Sequence, residues 1–258
     1  FGSGGYFQSP IDALLPVSME LKSEHRKLAV ALAIVLDRPG SMAVEIGGGK
    51  TKMDLANSGA ADSINLLGPM DEVAVLAVDS EPTKVIPLTK VGNRREELAG
   101  RVRKVQSSGG GIFTYTGLKA AWEEIRKSPA GTRHVILFAD AQDAEEPDDY
   151  IRLLQTMTDN GCTVSVIGLG SDTDCDAAFL KDIAARGKGR VFFSSQPMDI
   201  PKIFAQETVT IARSAFIKDP VGTMATGRWA EISPKPFDWM KEVGGYNLSY
   251  AREDATVS

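Results

Sequence analysis

The chain has 258 residues, 43% apolar and 24% charged, which fits one or two globular domains and excludes a fibre, a collagen-like repeat and a disordered tail. Its 29 basic and 34 acidic side chains leave a net charge of −5, so nucleic acid is not expected as the main partner, because a phosphate-binding face would show as a basic excess. The longest apolar run, Leu28–Leu36, has nine residues against the about 20 that span a bilayer, and no basic stretch leads into an apolar one as a signal peptide would require.

Apolar runs and helical stripes then alternate along the chain. Leu28–Leu36 reads as a buried strand ending at Asp37, followed by the glycine loop Gly47–Gly49. Met53, Ala56, Ala60, Ile64 and Leu67 lie at helical spacing within Lys52–Leu67. Glu72–Val78 and Thr83–Leu88 read as strands. The link between them is too short for a parallel crossover, so they must be antiparallel. Leu98, Val102 and Val105 mark a helix, and the Gly109–Gly111 run leads into another with Leu118, Ala121, Trp122 and Ile125 on one face. His134–Ala139 is a strand ending at Asp140, and Ile151, Leu154 and Met157 mark the next helix. Thr163–Leu169 is a strand, Phe179, Leu180 and Ile183 form a short apolar face, Arg190–Phe193 is a last strand, and Ile200, Ile203, Phe204 and Ile211 mark a last helix.

This alternation predicts an α/β fold. It is a doubly wound (Rossmann-like), mostly parallel six-stranded sheet with one antiparallel edge strand and helices on both faces, over residues 28–213. Leu32, Ile34, Val75, Ile136, Leu137, Val166 and Ile167 should be buried between the helical layers, with Trp122 packed onto the sheet. Residues 1–27 and 214–258 break the pattern. They are rich in glycine and proline, and both contain Gly-Gly-Tyr. They are expected to be flanking segments, the second belonging to a truncated neighbouring domain.

In open α/β sheets ligands bind outside the carboxyl ends of strands, where the strand order reverses. Asp37 and Asp140 each end a strongly apolar strand, and the first continues Arg38-Pro39-Gly40-Ser41-Met42. Ala33–Met42, the glycine loop, the GGG-led helix and the VILFAD strand together resemble a von Willebrand factor A domain over about 185 of the 258 residues. That resemblance implies a non-enzymatic protein-binding (adhesion) module with a metal-ion-dependent adhesion site. In the family an Asp-x-Ser-x-Ser loop, a threonine and a second aspartate hold a divalent cation. Carried over, Asp37 and Ser41 match the first and last members of the loop, and Asp140 matches the second aspartate. Pro39 stands where the family has its first serine, and Ile112 falls on the threonine position, with Thr114 and Thr116 two and four residues further on. Two oxygen ligands are thereby lost, so the site is degenerate and at most weak binding of Mg²⁺ or another divalent cation is expected. No other cofactor is implied.

The flanks Phe1–Glu20 and Gly244-Gly245-Tyr246, with Asp174–Thr208, resemble large membrane-anchored bacterial proteins in which an A domain interrupts a glutamine-amidotransferase-like region. A second reading is therefore a fragment of such a protein whose active residues lie outside this chain, and a third is a structural insert with a dead metal site. Within the chain the chemistry of an enzyme is missing. Cys162 sits at the wrong end of a strand for a nucleophile, and no G-x-S-x-G elbow exists. Cys162 and Cys175 should not pair, because the strand between them is roughly 25 Å long and a disulfide needs Cα atoms about 5.5 Å apart. Gly49-Lys50-Thr51 lacks the first glycine of a phosphate loop. Asp172-Thr173-Asp174-Cys175-Asp176 lacks the glycine and closing glutamate of a calcium loop, and reads as the lead-in to a helix. The acidic run Asp143–Asp149 has the same reading.

Overall fold

Four runs of buried residues become the central strands of one six-stranded sheet, and two segments that are more exposed become its edges. The computed structural model describes residues 14–18, 29–108, 113–140, 149–212, 216–217, 220–226, 228–238, 241–244, 246–247, 250–252 and 255. Gly109–Ile112, the acidic run up to Asp148, His25 and the segment Phe1–Ala13 lie outside the described residues. In chain order come β1 (Val17–Ser18), β2 (Val30–Asp37), β3 (Glu45–Gly47), β4 (Lys50–Thr51), α1 (Lys52–Leu66), β5 (Glu72–Val78), β6 (Pro82–Lys90), α2 (Arg95–Val102) and α3 (Thr114–Ile125). There follow β7 (Thr132–Asp140), α4 (Tyr150–Asp159), β8 (Cys162–Leu169), α5 (Ala177–Arg186), β9 (Lys188–Ser194) and α6 (Ile200–Ala212).

The sheet order is β6-β5-β2-β7-β8-β9, parallel except for the β5–β6 pair. The chain fills one half of the sheet from β2 outward, then crosses to β7 and fills the other half. The order therefore reverses between β2 and β7. Strand alternation sorts the core into two layers. Leu32, Ile34, Val75, Ile136 and Ile167 pack with Met53, Ala56, Ala60 and Ile64 of α1, Leu98 and Val102 of α2, and Phe204 of α6. Val35, Leu137 and Val166 pack with Leu118, Ala121 and Ile125 of α3, Leu154 and Met157 of α4, and Leu180 and Ile183 of α5. All seven core residues expected from the sequence are at most 1% exposed.

Two details refine the sequence reading. Helix α2 stops at Val102, and Val105 follows it in a turn, donating its N–H to Val102 O at 3.0 Å, while still packing on the same layer. Trp122 packs against the α3-side layer as expected but is only half-buried, and it also lines an outer cleft with Tyr115, Lys119 and Arg152. Cys162 is buried and Cys175 exposed, and they form no disulfide.

Two features bring helix ends to the sheet edge. Helix α1 starts because Thr51 caps it, its hydroxyl accepting Asp54 N–H while the Asp54 carboxylate accepts Thr51 N–H. Helix α3 lies close to β2 and β5 because Gly117 has no side chain: a Cβ there would sit 2.8 Å from Val35 Cγ1 and 3.2 Å from Val78 Cγ2. Val35 and Val78 lie near the carboxyl ends of their strands, so α3 begins at that edge of the sheet.

The two chain ends form a second compact unit, separate from Arg26–Ala212. Its described elements are β1, β10 (Phe216–Ile217), β11 (Val221–Gly222), α7 (Trp229–Ile232), β12 (Glu242–Val243), β13 (Tyr246–Asn247) and β14 (Tyr250–Ala251). The strands pair antiparallel as β1 with β14, β10 with β13 and β11 with β12. Among the described residues no helix is long and apolar enough to cross a membrane.

A buried polar cluster fastens α6 to the sheet. Ser165 of β8 donates to Glu207 Oε1 at 2.7 Å, and Arg190 of β9 pairs with Glu207 Oε2. His134 Nε2 lies 3.6 Å from Glu207 Oε1, and its Nδ1 bonds the Thr163 hydroxyl at 2.6 Å. Burial, with the Arg190 charge nearby, holds the imidazole neutral, its pKa lowered to about 3 from 6.5. The unfolded chain therefore takes up this proton first, and stability is lost as pH falls from about 6.5 toward about 3. Glu124, which receives Lys127, Lys84 and the Leu88 N–H, titrates at about 2 instead of 4.5 and adds to the loss only below about 4.5. His134→Gln should remove up to about 2 kcal/mol of the pH dependence between about 6.5 and 4.5, read by urea unfolding across that range. An unchanged pH profile would contradict the burial of a neutral imidazole.

Candidate functional site

The strand-order reversal places the ends of β2 and β7 side by side, so Asp37 and Asp140 meet at the carboxyl edge of the sheet. By alternation Asp37 continues the Val35 face, toward α3, and Asp140 continues the Phe138 face, toward α1. Asp37 is 3% exposed and Asp140 6%. Ser41, in the 3₁₀ turn Gly40–Ala43, donates its hydroxyl to Asp140 Oδ2 at 3.0 Å. The three residues marked by the sequence are thus brought to one place.

Their electrostatic situations differ. Both carboxylate oxygens of Asp37 are buried without a hydrogen-bond partner among the described residues. Burial pushes its pKa well above the usual carboxylate range, and the Asp140 and Asp79 charges push the same way. The backbone N–H groups of Asp140 and Arg38 are near enough to moderate the shift, but neither makes a well-formed hydrogen bond. Asp140 has the Ser41 hydroxyl and the Lys52 ammonium, the latter 4.0 Å from Oδ2.

The loop after β2 is held by its neighbours. The Arg38 guanidinium pairs with Asp79 at the end of β5 at 2.7 Å and donates to the Thr83 hydroxyl at 3.2 Å. Ser108 donates to the same Asp79, and Ser107 donates to Pro39 O at 2.6 Å. Pro39 caps the 3₁₀ turn with no side-chain hydrogen bond. The position carries neither a hydroxyl nor a backbone N–H.

Thr114 is the residue that counting along the sequence set aside. It is 2% exposed, and its hydroxyl is buried without a partner among the described residues. It opens α3 one turn before Gly117, at the same sheet edge and on the Asp37 side. Ile112, which the resemblance set at the family's threonine position, lies outside the described residues. The Asp37 carboxylate and, at the same sheet edge, the Thr114 hydroxyl, both buried without a hydrogen-bond partner among the described residues, fit, together with Ser41 and Asp140, the oxygen-only preference of a hard divalent cation. Among the described residues no group of three or more His, Cys, Asp or Glu side chains could hold a metal, so such a site depends on hydroxyls as much as on carboxylates. The glycine loop has a different use: Gly47, Gly48 and Gly49 adopt positive φ in the turn of the β3–β4 hairpin.

An unpaired buried carboxylate costs stability at neutral pH, because the native state favours the protonated form. This penalty is absent below about pH 3.8 and grows as pH rises toward the raised pKa. Asp37→Asn should therefore stabilise the metal-free protein at pH 7 by about 1–2 kcal/mol, read by urea unfolding in a chelator. Destabilisation would mean that the carboxylate is neutralised by a group not recognised above.

The family model of the von Willebrand factor type A domain matches residues 31–206. No curated protein sequence matches the chain. Among solved structures, the conserved hypothetical protein BatB from Bacteroides thetaiotaomicron is similar with a TM-score of 0.61 at 17% identity, covering 72% of this chain and 100% of that one. An aerotolerance-related membrane protein from Bacteroides fragilis, carrying mutations to serine, has a TM-score of 0.56 at 15% identity, covering 70% and 98%. Proximal thread matrix protein 1 from the mussel byssus, with a zinc-occupied MIDAS motif, has a TM-score of 0.58 at 19% identity, covering 71% and 45%. At such identities these likenesses show a shared fold alone. With the family model spanning most of the doubly wound unit and the strand order described above, the chain belongs to the von Willebrand factor type A domain family.

Proposed function

We propose that this domain is a non-enzymatic protein-binding module that presents the carboxyl edge around Asp37, Ser41 and Asp140 to a protein partner, with a degenerate cation site at its centre. Von Willebrand factor type A domains are protein-interaction or adhesion modules. The observation that carries the reading is the buried Asp37 carboxylate at the strand-order reversal, which has no hydrogen-bond partner among the described residues. Buried carboxylates of this kind cluster at functional sites, where a ligand can make use of them. When bound, a divalent cation would supply the positive charge that the two carboxylates lack. Asp37 and Asp140 would hold it by charge, and Ser41 and Thr114 by their hydroxyls. Ser41 would have to turn its hydroxyl hydrogen away from Asp140, which weakens binding.

The parent protein is membrane-anchored in this reading, with the A domain at 28–213 set between the flanking segments 1–27 and 214–258. Pairing of β1 with β14, from opposite ends of the chain, supports an insertion of this kind, and the likeness to a membrane protein accords with it. The fragment of a glutamine-amidotransferase-like protein is the alternative. Glutaminase activity of a longer protein would favour it, whereas cation-dependent capture of a partner by this domain would favour the binding module.

Calorimetry with Mg²⁺ tests the degenerate site. The unmodified chain should bind with a dissociation constant near millimolar, about −4 kcal/mol. Pro39→Ser combined with Ile112→Thr should bind about tenfold more tightly, because each change restores an oxygen at a family ligand position. Micromolar binding by the unmodified chain, or no gain in the double variant, would contradict the reading.

A further inference from the structure

Lys52 occupies a position that its own helix disfavours. It is the first residue of α1, where the helix dipole presents its positive end and a cation is unfavourable. Its side chain is only 25% exposed, and its Nζ lies 4.0 Å from Asp140 Oδ2. The β3–β4 hairpin fixes this placement. Lys52 N–H donates to Val44 O at 3.1 Å across the base of the hairpin, and the Thr51 capping box starts the helix at this residue. Lys52 and Asp140 also share the wall of a cleft of about 280 Å³ lined by Ser171, Asp174 and Ser195, where the Asp174 carboxylate accepts the Ser171 N–H at 2.8 Å.

We propose that Lys52 is an intrinsic cation of the site, whose ammonium competes with a divalent metal for Asp140. The inference rests on the reading that Asp37, Ser41 and Asp140 accept a divalent cation, and it assigns that site a regulator within the chain. Without metal, the ammonium offsets the Asp140 charge on the α1 side, leaving Asp37 uncompensated on the α3 side. When a divalent cation is bound, Asp37 and Asp140 would hold it in place of the ammonium. The cleft beside it gives the lysine head somewhere to go. Weak metal binding then has two sources: the oxygen ligands lost at Pro39 and Ile112, and a bound competitor that must be moved.

Metal affinity of four proteins tests this, with Mg²⁺ alone measured by calorimetry at fixed ionic strength. They are the unmodified chain, Lys52→Met, Lys52→Arg and Lys50→Met, with Lys52→Gln replacing the methionine variant if circular dichroism shows it unfolded. Lys52→Met should bind about tenfold more tightly than the unmodified chain, equivalent to about 1.4 kcal/mol. Lys52→Arg keeps the charge and should stay within about twofold. Lys50→Met removes an exposed lysine two residues away and should also stay within about twofold, because solvent and salt screen that charge. Equal or weaker binding by Lys52→Met overturns the inference while leaving the metal site standing. A tenfold gain in Lys50→Met as well overturns it in favour of general charge. Absence of binding in all four proteins overturns both the inference and the metal reading on which it rests.

Discussion

Two carboxylates brought together at the end of a buried sheet need a counter-charge, and the carboxyl edge of this domain is organised by how that need is met. Asp37 and Asp140 are forced together by topology: they end the two strands between which the winding reverses. Asp140 is offset by the Ser41 hydroxyl and the Lys52 ammonium. Asp37 receives no well-formed hydrogen bond among the described residues and is held toward its protonated form by burial. The asymmetry follows from strand alternation, which turns one carboxylate toward α1 and its lysine and the other toward α3 and the buried Thr114 hydroxyl.

The surrounding structure fixes that arrangement rather than relieving it. The Arg38–Asp79 pair and the Ser107 and Ser108 hydroxyls tie the loop after β2 to its neighbours at the edge. Gly117 lets α3 approach until its first turn stands over the ends of β2 and β5. Far from the edge, the Glu207, His134, Ser165 and Arg190 cluster fastens the last helix to the sheet. A rigid scaffold holding an under-compensated pair of charges is suited to binding a charged ligand, since little reorganisation is needed when it arrives.

The fold was legible in the sequence because covered parallel strands are continuously apolar and therefore easy to read, and because the short β5–β6 link admits only an antiparallel pair. Asp37 and Asp140 were legible for the same reason, since strand ends are fixed once strands are found, whereas Ser41 came from the resemblance to the family's Asp-x-Ser-x-Ser loop. Thr114 was not. Its part at the edge depends on where α3 begins and how near it lies to β2, which Gly117 decides through packing rather than through a count of residues. Lys52 was read as the start of α1, but its approach to Asp140 was not, because that depends on how the β3–β4 hairpin sets the helix against the end of β7. The His134–Glu207 contact joins distant segments with no shared motif, and only the folded packing of α6 on β8 reveals it.

The account stands or falls on whether a cation enters between Asp37 and Asp140. Mn²⁺ titrated into isotopically labelled protein tests this most directly, by paramagnetic broadening of backbone amide signals. Broadening should begin at Asp37–Met42, Thr114 and Asp140 and be suppressed in Asp37→Asn, while amides at the opposite edge, such as Lys90 and Ala130, stay sharp until far higher concentrations. Broadening that starts elsewhere, or that persists unchanged in Asp37→Asn, would contradict the account.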